Sequence, residues 1–524
     1  VLGLEFLVAM GLAILVGTVT SERFRLQQPL VLLALGVILG FIPALRQVQL
    51  SPDVVLLLFL PALLYWDSIM TPLRQIRRDL RGIVLMGTLL VIVTAAAVAV
   101  VAHELGLPWG PSWVLGAAVA PTDATAIGVV ARLLPRRNVT LLRAESLIND
   151  GTALVVFGLA VGITVGDEQF SVPHVTGLFL ISYIGGAAAG ALVAWLGTLA
   201  LRRIEGPLAV NTAILLFPFT AYLIAEWVEA SGVLAVVVCG MIMSQRGARF
   251  GQAQQRRQTE EFWSLAIFLL NATLFVLVGL EVQTAVRDMT TSELGWALAT
   301  VGAVAVTLVV VRFVFQVTSI YAIRALDRRP SQKLRRASHR ARVVSALAGF
   351  RGAVSLAVIL SVPTTLGSGE PFPDRSTIIF ITCGVIIVTL LQGLLLPDVV
   401  RWARLPQDTS FGEERHLTET STTEEALAAL PRLAAELGTA PEVADRLRQE
   451  YETHLDVLQA DDDGAPAVRQ VQDDTALRLA LLTHKRATLI RLHAEQRIDD
   501  TILLQMQTRL DIEEVRLIRQ EGTE

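Results

Sequence analysis

The sequence predicts an all-α membrane protein: thirteen transmembrane helices, built as two inverted six-helix repeats with broken crossing helices five and twelve, followed by a cytoplasmic helical tail. Three observations carry this reading. Of the 524 residues, 53% are hydrophobic and only 18% charged, with a mean hydropathy of +0.56, where a soluble domain carries roughly 25% charge. Apolar runs close to the ~20 residues needed to cross a hydrocarbon slab about 30 Å thick recur through the first 400 residues. Basic residues alternate between the loops joining these runs, as they do when Lys and Arg collect on the cytoplasmic side.

The thirteen runs cover approximately residues 1–20, 29–45, 52–70, 83–103, 112–134, 143–163, 172–201, 208–229, 232–245, 261–280, 293–324, 343–362 and 376–400. The odd-numbered loops hold 24 Lys and Arg residues, among them Arg74, Arg77, Arg78 and Arg81 and eight between Arg324 and Arg342, while the even-numbered loops hold only Arg46, Arg287 and Arg375. A missed or invented span would reverse this alternation downstream. The expected protein therefore lies in the cell membrane, with its N-terminus outside and its tail in the cytoplasm. The sequence starts at Val1 without an initiator Met or a basic leader, which predicts that the natural N-terminus lies further upstream.

The formal charge of −4 is a sum of two regimes. From residue 401 onward 25 acidic side chains face 15 basic ones, a net −10 that leaves +6 on the first 400 residues. Neither part points to nucleic acid as a partner. Cys239 and Cys383 both lie inside apolar runs, which excludes a disulfide framework and a thiolate metal cluster, and the seven histidines show no zinc spacing. The tail, residues 401–524, reads as helical. Ser421 to Leu437 opens as a capping box would, Val468 to Ile518 has apolar residues at i, i+3, i+4, and Asp461, Asp462, Asp463, Gly464 and Pro466 separate the two. With no nucleotide fingerprint, this amphipathic patterning predicts a regulatory or dimerisation module.

Ionisable side chains at membrane depth cost about 2.5 to 3.5 kcal/mol on insertion scales, so each is a candidate for function. They are Glu5, Asp67, Asp123, Glu145, Asp150, Glu226, Glu281, Arg312 and Arg351. Glu5, Glu281 and Arg312 fall within a turn or two of a span end and read as snorkelling; Asp67 and Glu226 stay unassigned. In segment five, Ala120-Pro121-Thr122-Asp123-Ala124-Thr125 puts a proline at mid-span. Proline deletes a backbone donor and clashes with the preceding turn, while Thr and Asp offer replacement hydrogen bonds, so the run predicts a broken helix lining a polar cavity. Segment six carries Glu145-Ser146-Leu147-Ile148-Asn149-Asp150-Gly151, which places two carboxylates, an amide and a hydroxyl on one polar stripe. Such oxygen ligands suit a hard cation. Two carboxylates close together away from water also let a proton and a cation compete for one of them. Arg351, in Gly349-Phe350-Arg351-Gly352-Ala353-Val354-Ser355-Leu356 of segment twelve, is the expected compensating base, and its flanking glycines mark a second break. Segments five and twelve correspond when segment seven is the linker between six-helix halves, and broken helices so related point to a midplane binding site.

Taken together, Thr122-Asp123, Glu145-Ser146-Leu147-Ile148-Asn149-Asp150 and Gly349-Phe350-Arg351-Gly352-Ala353-Val354-Ser355 resemble the bacterial sodium/proton exchangers of the monovalent cation:proton antiporter family 1 (NhaP-like), over roughly the first 400 residues. The resemblance implies a secondary transporter that needs no cofactor and exchanges Na⁺, or K⁺ or Li⁺, for H⁺. It implies that Asp150 binds cation and proton alternately, that Thr122, Asp123 and Ser146 surround the ion, and that Glu145 pairs with Arg351. Asn149 goes with electroneutral one-for-one exchange. It further implies a homodimer in which core helices four to six and eleven to thirteen move as an elevator against dimerisation helices one to three and eight to ten. Two positions depart from the family pattern: Ala124 stands where a proline is common, and Trp66 stands at a place often acidic in helix three, with Asp67 beside it.

Two other classes compete. An intramembrane aspartyl protease could use Asp123 and Asp150 as a dyad, yet the local sequences do not match such enzymes and Arg351 would have no role. A channel or sensor with the tail as output is the other, and the tail carries no catalytic or nucleotide motif.

Overall fold

A computed structural model describes residues 2–43, 54–71, 83–123, 136–166, 172–204, 206–247, 253–326, 339–366, 368–404, 410–460 and 466–521. The chain divides into two compact units, Val1–Gln407 and Asp408–Glu524. In the first, the described residues of the apolar segments are largely helical. The helices are α1 (Leu2–Phe24), α2 (Gln28–Leu39), α3 (Leu60–Met70), α4 (Leu90–Glu104), α5 (Trp109–Val119), α6 (Arg136–Val165), α7 (Val172–Leu201), α8 (Pro207–Trp227), α9 (Gly232–Gly247), α10 (Ala253–Asp288), α11 (Thr291–Leu326), α12 (His339–Leu347), α13 (Ala353–Leu360) and α14 (Arg375–Ala403). Eight described helices are long and apolar enough to cross a membrane. The first unit is thus an all-α, multi-spanning membrane protein. Basic loops at 72–82, 248–252 and 327–338, and residues 124–135 of segment five with Ala124 and Thr125, lie outside the described residues.

Local chemistry explains most boundaries. Prolines stand in the first turn of α2, α3 and α8, where their missing N–H has no intrahelical partner to lose. Ahead of Pro61 the chain widens into a π-helical turn, Val55–Phe59, and a second such turn, Leu85–Leu89, precedes α4. Segment twelve is interrupted between α12 and α13 around Gly349 and Gly352. α10 and α11 have 36 residues each, about 54 Å at 1.5 Å per residue, and outrun a hydrocarbon core.

Glycines let several backbones touch. A methyl group at Gly36 of α2 would run into the Val276 carbonyl of α10, and one at Gly279 into Leu33. Gly190 of α7 lies likewise against Ala235 of α9, and Gly116 of α5 against Ala95 of α4. In a membrane, where lipid is as apolar as leucine, such close contact is a main source of helix association.

The described residues of the second unit form four helices, α15 (Ser410–Leu437), α16 (Pro441–Leu458), α17 (Pro466–Ala494) and α18 (Asp500–Glu521). The expected start at Ser421 is corrected: α15 begins eleven residues earlier, and its hydroxyls fold back, Thr418 onto the Glu414 carbonyl and Thr422 onto that of Thr418, without capping an end. The periodic run from Val468 is a hairpin whose arms close on Leu482, Leu489, Leu510 and Leu517, with Arg486 bonded to Asp511 and Glu514. The Asp461–Gly464 break lies outside the described residues.

Candidate ion-binding site

Pro121 ends α5 as its missing donor requires, and Pro121, Thr122 and Asp123 leave the helix. The chain then meets the break of segment twelve. The Asp123 amide donates to the Phe350 carbonyl at 2.8 Å, and the Ala353 amide donates to Asp123 Oδ2 at 3.3 Å. This carboxylate therefore caps the start of α13, where orphan N–H groups and the helix dipole favour negative charge. It fits because residue 352 is glycine: a Cβ there would occupy the place of the Asp123 carboxylate. Arg351 does the opposite service. Its Nε donates to the Val119 carbonyl at the end of α5 at 2.9 Å, and its Nη1 donates to the Gly349 carbonyl, so a guanidinium sits where unpaired carbonyls gather.

α6 supplies the other wall. Ser146 Oγ donates to the Thr122 carbonyl at 2.5 Å and Asn149 Nδ2 donates to Thr122 Oγ1 at 2.7 Å. Thr122, Ser146, Asn149 and Asp150 are all buried, Asp150 at 5% exposure. Asp123 and Asp67 lie within electrostatic reach of Asp150, and Asp67 also within reach of Arg143. Among the described residues no three His, Cys, Asp or Glu side chains are grouped tightly enough to hold a metal ion. The donor set is thus carboxylates supplemented by hydroxyl and carbonyl oxygens, which suits a hard cation that must also leave.

The expected pairing of Glu145 with Arg351 is corrected. Glu145 Oε1 lies 2.7 Å from Arg312 Nη2 of α11, with both side chains under 10% exposed. Arg351 faces the same small cavity, together with Asn149 and Thr94, but its nitrogens are drawn to the carbonyls freed by the two breaks. Arg312 also donates from Nε to the Ser345 carbonyl at 3.1 Å, near the end of α12. Arg312, expected near a span end, is instead buried well inside a 36-residue helix. Its signal was present in Val309-Val310-Val311-Arg312-Phe313, an arginine inside an apolar run with Gln316 one turn away. Asp67, left unassigned, belongs to the carboxylate group. Glu5 and Glu226 are exposed and Glu281 is half-buried, and none joins it.

Residues 10–402 match the family described as sodium/hydrogen exchanger, transmembrane. An uncharacterised Na⁺/H⁺ exchanger of Mycobacterium tuberculosis is 43% identical over 99% of this chain and 97% of its own length. Another of Escherichia coli is 30% identical over 96% of both chains. The solved structure of a sodium/proton antiporter from Methanocaldococcus jannaschii shares the fold, with a TM-score of 0.57 at 19% identity over 76% of this chain and all of that one. The profile covers the crossed breaks and the α6 stripe alike, and the relatives extend through the tail. This multi-pass membrane protein is a secondary transporter, not an enzyme, and it belongs to the sodium/hydrogen exchanger family.

Proposed function

We propose that the protein exchanges one monovalent cation, Na⁺ before K⁺ or Li⁺, for one proton, the two competing for Asp150. The observation that carries this is the convergence of Ser146 and Asn149 on Thr122 beside buried Asp150. Thr122, Ser146 and Asp123 complete the cation's oxygen shell, and Asn149 holds Thr122 in place without titrating. Arg351 and Asp123 neutralise the broken helix ends, while Glu145 and Arg312 tie α6 to α11. Purified protein in proteoliposomes containing a pH dye should dequench on addition of NaCl, and Asp150→Asn should abolish the signal. Exchange that survives Asp150→Asn at the wild-type rate overturns the reading.

Thirteen spans in two inverted six-helix halves, N-terminus outside and tail inside, remain the architecture we favour; the crossing of the broken segments five and twelve supports it. The function is carried by residues 1–400, with 401–524 as a regulatory or dimerisation tail, and the working unit is a homodimer in a lipid bilayer. Two moving bodies are supported by the glycines. Those at which a Cβ would come within less than 3.0 Å of another residue form four groups, α1–α2–α10 and α3–α7–α8–α9 in one proposed body and α4–α5–α6–α13 and α11–α14 in the other, and none of these contacts crosses between the two. Contacts between the sets are looser: Gly151 to Leu234 at 3.7 Å, and Gly393 to Gln27 at 3.2 Å. That none of the described glycines makes such a close contact between the two sets suits elevator-type rocking around a fixed site.

A further inference from the structure

The π-helical turn Leu85–Leu89 at the head of α4 has one buried residue, Gly87. Wide turns of this kind are frequent at functional places in helices. Gly87 faces the α6 turn that carries Ile148, Asn149 and Asp150. A Cβ at residue 87 would stand 2.7 Å from Ile148 Cγ2, 2.8 Å from Ile148 Cβ and 3.4 Å from the Asn149 amide nitrogen. Ile148 is β-branched and has essentially one side-chain rotamer in a helix, so it cannot swing aside. Relief would have to come from α6 itself. The neighbours on each side leave little other freedom: Ile83 is buried against Ala144 and Ile148, while Met86 and Leu90 line the small cavity shared with Asn149. Within this contact Asn149 Oδ1 has no hydrogen-bond partner and its Nδ2 holds Thr122 at 2.7 Å. The orientation of the amide is thus set by packing and by one bond to a candidate cation ligand.

We infer that Gly87 is a positioning residue for exchange: the missing side chain in the π turn lets α4 fix the depth at which α6 presents Asn149 and Asp150 to Thr122, and so sets cation affinity. This rests on the reading of Asp150 as the exchanging carboxylate. Gly110 provides the comparison that separates positioning from ordinary packing. A Cβ there would come within 2.6 Å of Thr164 Oγ1 and 2.9 Å of its Cγ2, also a β-branched residue of α6, but about 22 Å along the helix from Asn149.

The experiment measures the Na⁺ concentration dependence of exchange by the full-length protein in proteoliposomes. Gly87→Ala should raise KM for Na⁺ about tenfold while the maximal rate stays within about twofold, since sub-ångström misplacement of ligands is enough for such a loss. Gly110→Ala should keep the wild-type KM, and Gly87→Ala combined with Ile148→Gly should return KM towards wild type because Ile148 Cβ and Cγ2, the two atoms the new methyl would strike, are both gone. A wild-type KM in Gly87→Ala, or an equal rise in Gly110→Ala, overturns the inference. Should Gly87→Ala fail to insert, Ile148→Ala alone withdraws the same contact from the α6 side and must raise KM; an unchanged KM there overturns it equally. These outcomes are read in protein whose exchange is abolished by Asp150→Asn, so failure of the underlying reading shows separately, as exchange that persists without that carboxylate.

Discussion

Glu145 and Arg312 lie 2.7 Å apart and shielded from water, so removing either strands a charge that the protein interior does not solvate. Breaking a buried pair in this way costs about 3 to 5 kcal/mol. Arg312→Ala should therefore lower the melting temperature in detergent clearly, and adding Glu145→Gln should recover part of the loss. Asn149→Ala removes one neutral hydrogen bond and should cost only about 1 kcal/mol. Melting of Arg312→Ala with the wild type would count against a structural pair. The partner of Glu145 was not legible in the sequence, for a physical reason. Which guanidinium meets a carboxylate across helices depends on the depth and rotation of α11, and a hydropathy scan resolves neither. The polar stripe on α6 was legible, because i and i+4 spacing within one helix is fixed by helix geometry alone.

At the level of elements, the end of α5 and the interruption between α12 and α13 share one device: the carbonyls of Val119 and Gly349 bind Arg351, and the Ala353 amide at the start of α13 binds Asp123. Gly352→Ala places a Cβ where the Asp123 carboxylate lies and should cut exchange about tenfold or more, as misplaced groups at a reacting centre do. Dye dequenching in proteoliposomes checks this, and a wild-type rate would remove Asp123 from the site. The first break could be read from Pro121 because a missing N–H is a local fact. The start of α15 could not be read from Ser421, whose chemistry suits a cap, since the polar residues from Ser410 to Thr420 are themselves compatible with helix and extend it. The π-helical turns were equally hidden, as no residue type marks the second of them.

For the whole molecule, the charge carried across the membrane is the quantity to measure. If Asp150 is either protonated or cation-bound, the moving body has the same charge in both half-cycles, because Asn149 does not titrate and the fixed pairs do not change. A membrane potential acts at about 2.3 kcal/mol per elementary charge per 100 mV, so exchange should be indifferent to a K⁺/valinomycin potential of either sign. A severalfold change with sign would mean that Asp67 or Asp123 also releases a proton in each cycle. Truncation at Pro406 should leave exchange in place while shifting its pH dependence or dimer stability, and complete loss of flux from a folded dimer would bring the tail into the transport path. The all-α, multi-spanning character could be read from the first 400 residues because membrane thickness constrains the length of apolar runs directly. Which helices touch through glycines could not be read, since that depends on which glycines face one another.

The length of α10 and α11 gives the proposed motion a natural ruler. Each is a rod of 36 residues, about 54 Å long, and the glycine contacts tie α10 to α2 through Gly36 and Gly279, and α11 to α14 through Val301 and Gly384. On the two-body proposal the rods report on different bodies; they are connected by the short turn at Met289 and Thr290, and both pack on α14. Spin labels at Glu260 on one and Tyr321 on the other sit near the far ends from that turn, where a small rotation becomes a large displacement. Dipolar spectroscopy of that pair in Na⁺ at high pH and in its absence at low pH should give two distance populations, and a single unchanging distance would mean that the rods travel together.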